Sequence, residues 1–163
     1  FPEDARKSSV LVSYFFKSGI PCFILMKRSE YKGVHSGQIC FPGGAEEPDD
    51  QSPKHTAIRE TQEEACANIE LIDIYSLYNL AHINQVYLFF RANLLDLDFT
   101  AGNESLEVEL FTENQIPWQE IAFIPVAETL EQYFHDRTRN VFPMHCAEIL
   151  IDPNTKKNTT RYY

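Results

Sequence analysis

The chain has 163 residues, 44% of them hydrophobic and 13% aromatic, enough apolar material for one well-buried domain and too much for a disordered chain. Its formal charge of -10 argues against a nucleic-acid backbone as the partner. No run approaches the roughly 18 apolar residues of a membrane span, and nothing resembles a signal peptide.

Residues 8–16 and 22–27 are apolar runs separated by the turn signal Ser18-Gly19, which predicts a β-hairpin. Residues 28–38 are polar and contain glycine, so they read as a loop. Ile39-Cys40-Phe41 reads as a short strand that stops at Pro42-Gly43-Gly44, and residues 45–52 are acidic and irregular. Ser52-Pro53, a hydroxyl cap followed by proline at the first helical position, predicts a helix running to about Ala67. Residues 69–79 and 85–95 read as strands, and Glu107–Phe111 as a shorter one. Val126, Leu130, Tyr133 and Phe134 recur at helical spacing and predict a second helix over 126–137. The tail from Asp152 is polar with a strand-like end. The expected architecture is one α/β domain over residues 1–163, built on a mixed sheet.

Cys22, Cys40, Cys66 and Cys146 lie far apart and form no C-x-x-C pair, which speaks against a zinc site. They read as reduced, mostly buried thiols of a cytoplasmic protein.

The chemistry concentrates in Arg59-Glu60-Thr61-Gln62-Glu63-Glu64. At about 100° per residue, Glu60, Glu63 and Glu64 fall on one helix face, with Ile58, Thr61 and Ala65 turned toward the sheet. Glu60 and Glu64 are like charges at i, i+4, an arrangement that destabilises an isolated helix. Clustered glutamates are most often a solvated face. Paired carboxylates also suit Mg²⁺ or Mn²⁺, which bridge a protein to substrate phosphates. Arg59, at i, i+4 from Glu63, can orient that carboxylate, and the Gly43-Gly44 turn lets the backbone approach a ligand closely.

The segment from Gly44 through Arg59-Glu60-Thr61-Gln62-Glu63-Glu64-Ala65-Cys66 resembles the box of the Nudix hydrolases, G-x5-E-x7-R-E-U-x-E-E-x-G-U. There are three departures. Gly44 and Arg59 are one residue further apart than in the pattern. Asp49, Asp50 or Gln51 stands near the early glutamate. Thr61 and Cys66 occupy the aliphatic and second glycine positions. The resemblance implies an α/β/α sandwich with a mixed sheet and metal-assisted attack of water on a pyrophosphate. It implies Glu60 and Glu64 as main metal ligands, Glu63 assisting and the Gly44 carbonyl completing the site, with Arg59 among the catalytic residues. The base is sought in Glu107 and Glu109, then Glu104, with Glu63 as a further candidate.

Residues 28–44 resemble coenzyme A diphosphatases at Arg28, His35, Gly37, Gln38, Phe41, Pro42, Gly43 and Gly44, which implies that His35 and Gly43 meet the substrate. After the helix, residues 65–111 together with Ile116-Pro117-Trp118 and Ala122-Phe123 are similar to ADP-ribose pyrophosphatase-like Nudix proteins, which are frequently homodimers. Two different resemblances meeting near residues 60–65 suggest an engineered chimera or an ancient recombinant. His35 and His82 are candidates for phosphate or base contacts, and Tyr75, Tyr78, Tyr87 and Phe89 for stacking on adenine. The implied partner is a small nucleoside diphosphate linked to another group, of the coenzyme A or ADP-ribose type, with no nucleic acid or membrane. The alternative is a Nudix-fold module, chimeric or binding only, that folds but has little turnover.

Overall fold

The computed structural model describes residues 4–155 and 157–163. Residues 1–3 and Lys156, which the sequence reading included in the domain span and polar tail, lie outside the described residues. The first hairpin forms as expected. β1 (Arg6–Lys17) and β2 (Ile20–Arg28) pair antiparallel with Lys17 opposite Ile20. Ser18 and Gly19 both take positive φ, 53° and 79°, the combination a two-residue turn needs to match the twist of its strands.

Beyond Tyr14 and Phe23 the two strands part. β1 takes β4 (Gly43–Ala45) as its antiparallel neighbour, while β2 takes β3 (Ile39–Cys40) on that edge and carries β7 (Ser105–Thr112) along the other. The short segment from Ile39 to Ala45 therefore crosses between diverging strands, and the Leu11 amide donates to the Pro42 carbonyl at 3.0 Å. The sequence reading ended this strand in a glycine turn and left residue 45 irregular. The difference has a steric cause: a Cβ at Gly43 would lie 2.6 Å from Val10 Cα, so only glycine can lie this close to β1.

The remaining order is β1-β6-β5-β8-β9, with β5 (Ile69–Leu80), β6 (Gln85–Leu94), β8 (His145–Ile151) and β9 (Asn158–Tyr162). β1 runs parallel to β6 and β5 parallel to β8, and the other pairs are antiparallel. The sheet is mixed, as expected. Strand β8 had no counterpart in the sequence reading; its inward residues are Ala147 and Ile149, too few to stand out before a partner strand is known.

A helix covers each face. α1 (Pro53–Ala65) sets Ala57 against Leu11, Phe90 and Ala92, and Ala65 against Ile24 and Leu94. The Ser52 hydroxyl accepts from the His55 amide at 3.2 Å. The helix stops at Ala65 because Cys66 turns left-handed, φ 48°, and its N–H returns to the Gln62 carbonyl. The pattern's glycine position is thus occupied by a cysteine in the conformation glycine favours. Ile58 is only half-buried, and Thr56 and Ala57 fill the place expected of it.

On the other face, α2 (Ile124–Arg139) packs Val126, Leu130, Tyr133 and Phe134 onto Val12, Phe23, Tyr75 and Phe89. The Asp136 carboxylate, 2% exposed, accepts from the Tyr75 hydroxyl and pairs with His145 Nε2, each at 2.7 Å. One buried acid therefore ties α2 to β5 and β8. Asp136→Ala would strand the buried Tyr75 hydroxyl and the partly buried His145 ring, and urea unfolding at pH 7 is expected to show a loss of about 3 kcal/mol. Cys22 and Cys40 are buried, Cys146 is half-buried and Cys66 is exposed; all four are free thiols. No helix among the described residues is long and apolar enough to cross a membrane.

Candidate active site

Where β1 and β2 diverge, a cleft of about 690 Å³ opens between the crossing segment, α1 and the start of α2. Glu60 and Glu64 reach it from α1, Gly43 and Gly44 from β4, and Glu104 from the loop before β7. The Gly43 amide donates to Glu64 Oε2 at 2.8 Å. A Cβ on Gly44 would run into the Glu60 carboxylate, so the second glycine is what lets backbone and carboxylate touch.

These carboxylates are poorly solvated. Burial pushes the Glu64 carboxyl up to about 7, against the Gly43 hydrogen bond and with help from the Glu60 charge. Burial also raises Glu60; Arg59 opposes the shift, and the Glu63 and Glu104 charges add to it. Arg59 anchors the array from outside the cleft. It holds Asp50 through two hydrogen bonds, Nε to Oδ1 at 3.1 Å and Nη2 to Oδ2 at 2.9 Å. It also reaches the Ala45 carbonyl at 3.2 Å, Glu60 at 2.9 Å and Glu63 at 3.1 Å. The Asp50 side chain is 2% exposed, and the Arg59 guanidinium holds its carboxyl well below the usual carboxylate range. Of the three residues near the missing early glutamate, Asp50 is the one that meets this arginine.

The structure does not gather all the predicted site residues. Glu63 carries a 59% exposed side chain turned to Arg59 and does not line the cleft. Glu107 and Glu109 border a small gap beside Leu25, Lys27 and Phe111. Strand alternation explains this: Val108 and Leu110 pack toward Ala65 under α1, which sends their odd-numbered neighbours to the opposite face. Glu104, ranked behind them from sequence, lines the cleft. Tyr75, Tyr78 and Phe89 are wholly buried in the core, so they offer no face to a ligand, while Tyr87 lines the cleft.

Arg6, Arg28, His35, Tyr31 and Phe123 complete the wall. Arg28 is held by rings, 5.4 Å over Phe123 and 5.9 Å over Tyr31, and its buried Nε has no hydrogen-bond partner among the described residues. His35 stacks on Phe123 at 4.5 Å, and its Nδ1 lies 2.7 Å from Gln38 Oε1. His82 lies away from the cleft, in an adjoining pocket. Cys40 is also in the wall, but burial pushes its thiol up to about 12, which removes it as a nucleophile near neutral pH. Sequence reading did not single out Arg6, Tyr31 and Phe123 as site residues, because only the fold brings them together at the cleft.

Among the described residues no three acidic, histidine or cysteine side chains form a metal-binding group. The cleft is lined by the Glu47, Glu60, Glu64 and Glu104 carboxylates, and with backbone oxygens these are donors suited to a hard divalent cation.

Residues 6–136 match the family model described as NUDIX domain. A Nudix hydrolase from Nitrosomonas europaea, known from a crystal structure, is 35% identical, superposes with a TM-score of 0.78, and is matched over 91% of this chain and 81% of its own. An uncharacterized Nudix hydrolase NudL of Yersinia pestis (strain Pestoides F) is 34% identical over 84 residues, which make up 52% of this chain and only 41% of that relative. The Nudix domain of Shewanella oneidensis NrtR, solved with ADP ribose, is 17% identical with a TM-score of 0.62, over 81% of this chain and 90% of its own; at that identity the likeness is one of fold. The chain belongs to the Nudix hydrolase family.

Proposed function

We propose that this single domain is a divalent-cation-dependent pyrophosphohydrolase that splits a nucleoside diphosphate linked to a further group. The observation that carries this reading is the pairing of two desolvated carboxylates, Glu60 and Glu64, with a ring-held cation, Arg28, in one cleft of a protein with a net charge of -10. Buried carboxylates side by side repel unless a cation joins them, and oxygen donors suit a hard one. Glu60, Glu64 and the Gly44 carbonyl are the groups that would hold Mg²⁺ or Mn²⁺. When bound, the ion supplies Lewis-acid polarisation of phosphoryl oxygen and offsets the negative charge of site and substrate.

The chain's own residues do the rest. Arg28 anchors a phosphate through its guanidinium, and Phe123, Tyr31 and Tyr87 provide ring faces for a base. Glu104 accepts a proton from the attacking water; its position in the cleft wall supports it over Glu107 and Glu109, and over Glu63, which stays with Arg59. His35 and Gly43 frame the substrate's side of the wall. Coenzyme A and ADP-ribose both contain the required adenosine pyrophosphate. The Nitrosomonas europaea relative, matched over 91% of the chain, runs through the junction near residues 60–65, which favours one origin for both halves over a chimera.

With Mg²⁺, a panel of coenzyme A, ADP-ribose, NADH and nucleoside triphosphates should yield adenosine monophosphate or its 3′-phosphate from at least one of the diphosphate-linked substrates. A folded protein that releases nothing from any of them would leave a binding module instead. Arg28→Ala should raise KM roughly 10–100-fold with a smaller change in kcat, because its phosphate contact is made before and during the reaction.

A further inference from the structure

The segment that carries Glu104 is fixed from two directions. On one side the end of α1 holds its neighbours: the Thr100 amide donates to the Ala65 carbonyl, and the Gly102 amide and Ser105 hydroxyl donate to the Glu64 carbonyl. None of these bonds reaches Glu104 itself. On the other side the Ser29 hydroxyl donates to the Glu104 carbonyl at 2.7 Å. The pairing of β2 with β7 explains how two residues so far apart in the chain meet. Lys27 stands opposite Glu107 but Arg28 opposite Ser105, a shift that leaves Leu106 without an opposite residue. Such a bulge bends its strand and re-aims the residues beyond it. Here it brings Glu104 level with Ser29. Beside their bond lies a chamber of about 260 Å³, walled by Met26, Arg28 and Ser29 on one side and by Glu64, Asn103 and Glu104 on the other. Arg28, Glu64 and Glu104 line the main cleft as well, so the chamber opens beside the groups that meet phosphate, cation and water.

We infer that Ser29 is a positioning residue: its hydroxyl clasps the Glu104 carbonyl and so sets the proton acceptor Glu104 against the phosphate anchor Arg28, which precedes Ser29 in the chain. This rests on the pyrophosphohydrolase reading. Arg28 fixes the substrate phosphate, the attacking water must stand in line with the bond that breaks, and the chamber gives that water room next to Glu104. One peptide unit and one hydrogen bond then set the distance from phosphate to proton acceptor. A misplacement of about 1 Å can cost on the order of 100-fold in rate. A partly exposed hydroxyl on a carbonyl adds little to overall stability, so the effect of the clasp belongs in turnover rather than in folding.

With Mg²⁺ and coenzyme A or ADP-ribose, Ser29→Ala should lower kcat about tenfold and leave KM within about twofold, and Ser29→Thr, which keeps the hydroxyl, should restore kcat to within about twofold. In a Glu104→Gln background the same Ser29→Ala change should lose no more than about twofold, because the group it positions is already gone. Unchanged kcat in Ser29→Ala, or an equal loss in both backgrounds, would overturn the assignment. Amide hydrogen exchange in the metal-free protein separates the clasp from the functional reading. Residues 103–105 should exchange about tenfold faster in Ser29→Ala than in wild type or Ser29→Thr. That result supports the clasp even if wild type cleaves neither substrate, an outcome that would remove the hydrolase reading instead. Unchanged exchange refutes the clasp whatever the activity.

Discussion

Glu64→Gln is expected to stabilise the metal-free protein at pH 8 while removing most of its turnover. Burial holds the Glu64 carboxyl at about 7 against an ordinary 4.5. Between those values the folded chain binds more protons than the unfolded one, so stability falls as pH rises through the window and stays low above it. The full penalty at pH 8 is on the order of 3 kcal/mol. A glutamine has no charge to desolvate, and its amide oxygen can still accept from the Gly43 amide. For a chain of this size that corresponds to a melting temperature roughly 5–10 °C higher at pH 8. At pH 4.5 wild type and variant should melt nearly together, since both side chains are then largely neutral. The same variant loses a ligand for the cation, and kcat should fall roughly 10²–10³-fold. Thermal melts at the two pH values, paired with turnover, read both effects. A variant less stable than wild type at pH 8 would mean that Glu64 is not a strained acid.

Gly102→Ala should produce the opposite pattern, losing stability and activity together. The end of α1 is closed by the loop that precedes β7. The Glu64 carbonyl accepts from the Gly102 amide at 2.9 Å and the Ser105 hydroxyl at 2.8 Å, and the Ala65 carbonyl accepts from the Thr100 amide at 3.1 Å. A Cβ on Gly102 would run into the Glu63 carbonyl oxygen and lie 2.7 Å from its carbon. Both are backbone atoms, so no side-chain rotation relieves the clash. The loop must withdraw, opening the helix end and moving Glu104, two residues on, away from the cleft. A destabilisation of about 2–3 kcal/mol is expected by urea unfolding, with kcat down roughly tenfold or more. Ser105→Ala, which removes one bond and adds no atom, should lose only about 1 kcal/mol.

The sequence was most readable where one short stretch of chain decides the outcome. Ser18-Gly19, Ser52-Pro53 and the period of Val126, Leu130, Tyr133 and Phe134 each act locally, and the hairpin and both helices follow from them. Strand β8 was missed because its pattern acquires meaning only from the parallel partner β5, far away in the chain. The candidate site divides in the same way. Glu60, Glu64 and the glycines of β4 lie in one contiguous motif. The choice of Glu104 over Glu107 and Glu109 depends on which face of β7 meets α1, and Val108 and Leu110 fix that only after folding. The loss of Tyr75 and Tyr78 as stacking residues has a similar origin, since alternation does not reveal whether an aromatic strand face meets solvent or a second helix.

Everything proposed for the cleft depends on Glu60 and Glu64 seating a divalent cation. Calorimetric titration of Mg²⁺ at pH 7, in two buffers of different ionisation heat, tests this directly. Wild type should bind saturably and release a fraction of a proton, because Glu64 is partly protonated there, and Glu60→Gln should bind far more weakly. Equal affinity in the two proteins, or binding with no proton released, would contradict the assignment.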